Sequence, residues 1–173
     1  MTSGLDRLNA LPLKDAAEQL RACCGSSRWV EAMLARRPFD SVEDLLAAAD
    51  GAWRATGPED WDEAFAHHPR IGERHAAAPV SATARAWSAG EQGTAEDAGT
   101  AARVALAEAN EAYERRFGRI YIVCAAGRTA EEMLADIAVR MKNDSELERA
   151  VAAEEQRKIT RLRLKTLIGA RDS

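Results

Sequence analysis

Four segments of this chain open with a serine or threonine followed three positions later by an acid: Ser41 with Asp44, Thr94 with Asp97, Thr129 with Glu132, and Ser145 with Glu148. At that spacing the hydroxyl accepts from one amide that a helix start leaves without a partner, and the acid accepts from another. Helical periodicity follows the caps. The Thr129 segment sets Met133, Leu134, Ile137, Ala138 and Met141 on one face, and Ser145 opens a stretch through Leu147, Val151, Ile159 and Leu162 to Gly169. Alanine supplies about a fifth of the residues and Val and Ile are few, which biases the chain further from sheet to helix. The expected fold class is all-α.

Other segments agree. From Leu13 to Cys24 the residues Ala16, Ala17, Leu20, Cys23 and Cys24 follow helical spacing, with Gly25 placed to end the helix. Ser27 is expected to start a helix carrying Trp29, Val30, Met33 and Leu34, stopped before Pro38. A short helix with Pro58 at its first position carries Trp61, Phe65 and His68 on one stripe and ends at Pro69. Two stretches break the pattern. Gly72 to Ser88, interrupted by Pro79, reads as a loop with one helical piece. Ile120 to Ala126 is apolar and β-rich, but a single strand makes no sheet, so an extended buried segment between helices is expected. With no internal repeat and no Gly/Ser- or Pro-rich linker, residues 1–173 read as one domain, a helical bundle.

The chain's 173 residues, 46% hydrophobic and 30% charged, exclude disorder and a miniature scaffold. A chain of this length buries about 70% of its unfolded surface, enough to dispense with disulfides or a structural metal. Lys and Arg total 24 against 28 Asp and Glu, a net charge of −4 with no block of one sign, which argues against nucleic acid or an anionic membrane as partner. The longest apolar run, Ile120 to Ala126, is about a third of a bilayer span, and no export signal is visible. Three cysteines, two of them neighbours at Cys23 and Cys24, are a poor disulfide set. Reduced thiols in a cytoplasm are expected.

Three motifs bear chemistry. In Ala66-His67-His68-Pro69-Arg70-Ile71-Gly72 the proline halts the helix directly after His68, so this imidazole sits at a chain break, where it serves either as a helix C-terminal cap or as an acid/base exchanging a proton near neutral pH. Ser88-Ala89-Gly90-Glu91-Gln92-Gly93 has capping-box spacing, yet its hydroxyl, carboxylate, carboxamide and free helix-start amides also suit a polar heterocycle. Phe117 to Gly127, if extended, leaves backbone groups that no strand claims, and a ligand is one way to satisfy them. Cys124 with His68 as base is a further option, but nothing nearby in sequence lowers the thiol pKa, and a small core thiol is the simpler reading. Glu63, His67, His68 and His75 lack the tighter paired spacing of zinc sites, so no metal is expected.

Together, His68-Pro69-Arg70-Ile71-Gly72, Ser88-x-x-Glu91-Gln92 and Phe117-Gly118 with Tyr121 to Ala125 resemble the signature of the 2-oxo-4-hydroxy-4-carboxy-5-ureidoimidazoline (OHCU) decarboxylase family of urate breakdown. Cys23-Cys24-Gly25-Ser26 with Trp29, Arg37-Pro38-Phe39, Arg140 with Asn143, and Arg161-Leu162 extend the match over about Leu8 to Leu167. The order and spacing of the motifs are specific where each alone is not. The resemblance implies an all-helical, cofactor-free, commonly dimeric enzyme that converts OHCU to (S)-allantoin and carbon dioxide. It further implies His68 as catalytic acid/base with Glu91 as its carboxylate companion. Ser88, Gln92 and the backbone of Tyr121, Ile122, Val123, Cys124 and Ala125 would hold the substrate, Pro69 would line the site, and Arg140 would join in substrate binding. A non-catalytic helical scaffold and a metal-assisted ureide hydrolase are the alternatives.

Overall fold

The computed structural model describes residues 3–71, 83, 86–87 and 99–169. The Thr94–Asp97 cap, the bulk of the 72–88 stretch, His75, Ser88, Glu91 and Gln92 lie outside the described residues. Among the described residues there are eight helices and no strand, so the chain is all-α. In order they are α1 (Gly4–Ala10), α2 (Leu13–Cys23), α3 (Ser27–Arg36), α4 (Val42–Arg54), α5 (Pro58–Ala66), α6 (Thr100–Phe117), α7 (Ala130–Arg140) and α8 (Ser145–Ile168). None is long and apolar enough to cross a membrane.

Helix starts show which caps are local and which are overridden. Thr129 and Glu132 form the full reciprocal box on α7. Ser41 caps the Asp44 amide, but the Asp44 carboxylate returns to the Asp40 amide and to Arg36 instead. At α8 the cap is Asp144, whose carboxylate accepts from the Leu147 amide at 2.8 Å; Ser145 is the first helical residue and Glu148 is drawn inward. Likewise Ser26, not Ser27, caps α3, while Ser27 is held by Glu63, which accepts from its amide at 2.8 Å and its hydroxyl at 2.6 Å. Helix α1 was not expected, although Ser3 and Asp6 make the same reciprocal box there.

The chain packs as two units, Met1–Ala64 with Arg157–Ser173, and Phe65–Gln156. In the first, α2 packs on α3 and α3 on α4. Trp29 is fully buried, and its indole N–H is satisfied by the Ala49 carbonyl at 3.1 Å, as a buried indole requires. The second half of α8 is fastened to α4 through Asp50, which receives Arg157 at 3.0 Å and Arg161 at 2.7 Å. Gly4 lies so close to the end of α8 that a β-carbon there would meet the Ile168 carbonyl oxygen at 1.8 Å. Cys23 and Cys24 are both buried. Burial pushes Cys24 up to about 12, against the opposing pull of the Ser26 backbone and Thr160 side-chain hydrogen bonds.

In the second unit α6 packs on α7, and their apolar faces enclose Leu106, Tyr113, Phe117, Met133 and Ile137 together with Tyr121, Val123 and Ala125. Gly118 ends α6 in the left-handed region at φ 69°, its N–H closing on the Glu114 carbonyl at 2.8 Å. It turns the chain into residues 120–125, which form no helix and pair with no described strand. Tyr121, Ile122, Val123 and Ala125 are nevertheless buried.

Candidate active site

His68 stands just beyond α5. The helix ends at Ala66, two residues short of the stop that Pro69 alone would dictate, and the His68 amide closes a turn on the Phe65 carbonyl at 3.1 Å, so the imidazole leaves the helix stripe. Both His68 and Pro69 are half-buried. The imidazole Nε2 lies 2.6 Å from the side-chain oxygen of Gln156, a wholly buried residue of α8. Two residues on, Arg70 grips Glu114 of α6 with a fork, Nε to Oε2 and Nη2 to Oε1, both at 2.8 Å. That hydrogen bond, and behind it the Arg70 charge, draws the Glu114 carboxyl below its ordinary range and ties the chain after His68 to α6.

The 121–125 segment carries backbone polar groups that no strand satisfies, and side chains take up two of them. The Cys124 amide donates to the Glu155 carboxylate of α8 at 2.8 Å, and the Ile122 carbonyl accepts from Arg140 Nη1 at 2.8 Å. The Ala125 carbonyl accepts the Arg128 amide at 3.0 Å, closing the turn into α7. Cys124 itself is only partly buried.

Arg140 is 3% exposed. Its Nε donates to Glu148 Oε1 at 2.8 Å, Nη2 lies 2.7 Å from the same oxygen, and Nη1 lies 3.3 Å from Asp136 Oδ2. The guanidinium also lies over the rings of Tyr121 and Tyr113, 4.7 Å and 5.8 Å from their centroids. Glu148, fully buried, accepts as well from the Tyr113 hydroxyl and from Asn143 Nδ2, while Tyr121 donates its hydroxyl to Asp136 at 2.5 Å. Burial opposes the charge on Arg140, but the Glu148 hydrogen bond and charge outweigh it and hold the guanidinium more firmly protonated than usual. Burial raises both phenols well above the ordinary tyrosine range, with Glu148 adding to the effect on Tyr113 and Asp136 on Tyr121. Arg140 thus reaches the segment through the Ile122 carbonyl, from within the core.

Glu155 and Gln156 have no place in the sequence motifs, and Glu148 stands there only as a capping acid for Ser145. Their signal is positional: on α8 the intervals 148, 152, 155, 156 and 159 mark one helical face, and Ala152 and Ile159 on it are buried with them. Three polar residues on a buried face demand internal partners. They find them in Arg140, the Cys124 amide and His68. Among the described residues no group of three or more His, Cys, Asp and Glu side chains is arranged to hold a metal ion.

A model of the OHCU decarboxylase family matches residues 9–165. The chain is 39% identical over 151 residues to the uric acid degradation bifunctional protein TTL of Arabidopsis thaliana, an alignment covering 87% of this chain but only 46% of that protein. With the 2-oxo-4-hydroxy-4-carboxy-5-ureidoimidazoline decarboxylase of Amia calva it shares 35% identity over 137 residues, 76% of this chain and 75% of the relative. The chain therefore spans about half the length of the plant relative and three quarters of the fish one. The crystal structure of OHCU decarboxylase in the presence of (S)-allantoin superposes with a TM-score of 0.75 at 35% identity, covering 88% of this chain and 98% of that one. With the match running from Asn9 to Lys165, the chain belongs to the OHCU decarboxylase family.

Proposed function

We propose that this chain decarboxylates OHCU to (S)-allantoin and carbon dioxide in urate degradation, without a cofactor, with His68 as the acid/base. The observation that carries this reading is that adjacent residues of α8 hold two motifs distant in sequence: Glu155 binds the Cys124 amide and Gln156 meets the His68 imidazole. Family membership and relatives named for the same chemistry support the reaction.

Loss of carbon dioxide leaves an electron pair on ring carbon, and the substrate's own carbonyl and C=N groups delocalise it. The protein has to orient the leaving carboxylate, stabilise the developing anion and return one proton to one face of that carbon. His68 supplies the proton, a contribution of about 10²- to 10⁴-fold, and its fixed side of approach sets the S configuration. Glu91 orients His68 or accepts a ureido N–H, Ser88 and Gln92 bind ring substituents, and Pro69 lines the pocket. The buried, largely apolar Tyr121–Ala125 segment excludes water and offers backbone groups to the ring. Arg140 contributes to substrate binding by bracing that segment at Ile122. Residues 1–173 act as one domain, in a cytoplasmic homodimer.

The test is circular dichroism of allantoin while urate is oxidised and hydrolysed in the presence of the protein. Faster appearance of (S)-allantoin is expected, abolished by His68→Ala and little changed by His67→Ala. Unchanged kinetics would refute the reading.

A further inference from the structure

We propose that Gln156 is a positioning residue that holds the His68 imidazole as the tautomer protonated at Nε2, making Nδ1 the nitrogen that takes up and gives back the reactive proton. The inference deepens the proposed function and rests on its reading of His68 as the acid/base.

A carboxamide oxygen only accepts, and an imidazole nitrogen 2.6 Å from it must bring the hydrogen. With the proton fixed on Nε2, the neutral ring has its lone pair on Nδ1, and a second proton can enter only there. Gln156 is itself fixed. It is fully buried on the α8 face that also carries Ala152 and Ile159, so its amide has little freedom to follow the ring. Its neighbour Glu155 anchors the Cys124 amide in the same turn of helix, which couples the setting of the ring to the placement of the 121–125 segment.

The choice of residue argues for this task over packing. At a fully buried helix position, leucine or methionine fills similar space with no polar group to satisfy, and a core selected for stability alone would favour either. A carboxylate there would bind the protonated ring as an ion pair and resist its deprotonation. A carboxamide orients the ring and adds no charge.

The experiment is long-range proton–nitrogen correlation NMR on the full chain with labelled histidine, at a pH of about 8 where an ordinary imidazole is neutral. The sequence has three histidines, and the His68 signals are assigned by their loss in His68→Ala. Wild type should show the Nε2–H pattern. Gln156→Leu should shift His68 toward a mixture of tautomers and lower kcat by about tenfold or more with KM changed by less than about threefold, whereas Gln156→Glu, which keeps an acceptor oxygen and adds a charge, should keep the hydrogen on Nε2 and shift the ring toward its doubly protonated form. Should Gln156→Leu fail to fold, Gln156→Met makes the same test, and the wild-type spectrum decides the tautomer without any variant. An Nδ1–H ring in wild type, or a pattern unmoved by loss of the carboxamide, overturns the assignment while leaving His68 as acid/base intact. Full activity in His68→Ala overturns the acid/base reading and the catalytic role of Gln156 with it, even if the tautomer is as assigned.

Discussion

Arg140 and Glu148 are a buried ion pair, 4% and 0% exposed at their side chains, and Arg140 spends its remaining Nη1 on the Ile122 carbonyl and Asp136. The pair links α7, α8 and the 121–125 segment in one set of hydrogen bonds.

Removing one member leaves the other charged and buried. Glu148→Ala is therefore expected to cost about 3–5 kcal/mol in urea denaturation, whereas replacing both, Arg140→Met with Glu148→Leu, recovers most of the loss. A loss under about 1 kcal/mol for the single variant would mean the pair is solvated in solution.

Both tyrosines of the chain, Tyr113 and Tyr121, are buried, donate to the carboxylates of Glu148 and Asp136, and have raised pKa values. A group raised by folding contributes stability that is whole below its unfolded pKa and is lost as pH climbs through the folded one. The Cys24 contribution therefore begins to fade above about 9 and those of the phenols above about 10. Tyrosinate absorbance should stay absent from the folded protein and appear together with the loss of helical circular dichroism. Reversible phenol titration at the ordinary value, with helix intact, would contradict the burial of both rings.

Glu155→Ala frees the Cys124 amide and should lower decarboxylation by about tenfold or more. Glu132→Ala, which removes only half of the α7 capping box, should cost about 1 kcal/mol in thermal or urea unfolding and leave turnover unchanged. Equal effects of the two on turnover would separate the 121–125 segment from the chemistry.

Gly118→Ala places a β-carbon in the left-handed region, and although the space around it is open, the backbone alone should cost about 1–2 kcal/mol. Gly51→Ala, inside α4 with nothing near the added methyl, should instead stabilise by about 0.5–1 kcal/mol. Urea midpoints of the two variants should therefore move in opposite directions.

Much of the architecture was legible in the residues themselves. The Thr129 box, the α3 stripe of Trp29, Val30 and Met33, and a non-helical segment within Ile120 to Ala126, buried at Tyr121, Ile122, Val123 and Ala125 but exposed at Ala126, appear in the structure. The Ser145 cap did not. The spacing of Ser145 and Glu148 is that of a capping box, but Asp144 caps equally well, and a cap worth about 1 kcal/mol does not outweigh the cost of leaving Arg140 buried and unpaired. Glu63, grouped by sequence with His67, His68 and His75, accepts in the structure from the amide and hydroxyl of Ser27.

Sequence alone determined the helical class, the buried non-helical segment and, through the order of its motifs, the family. These depend on capping, periodicity and turn residues, interactions whose partners lie within a few positions of each other. Only the tertiary structure decided which polar side chains of α8 turn inward and what they hold. Glu154-Glu155-Gln156-Arg157-Lys158 is an unbroken polar run in sequence, yet Gln156 meets a ring 88 positions away and Glu155 an amide 31 positions away. A buried polar group takes its partner from whatever packing brings near, and no local spacing encodes that choice.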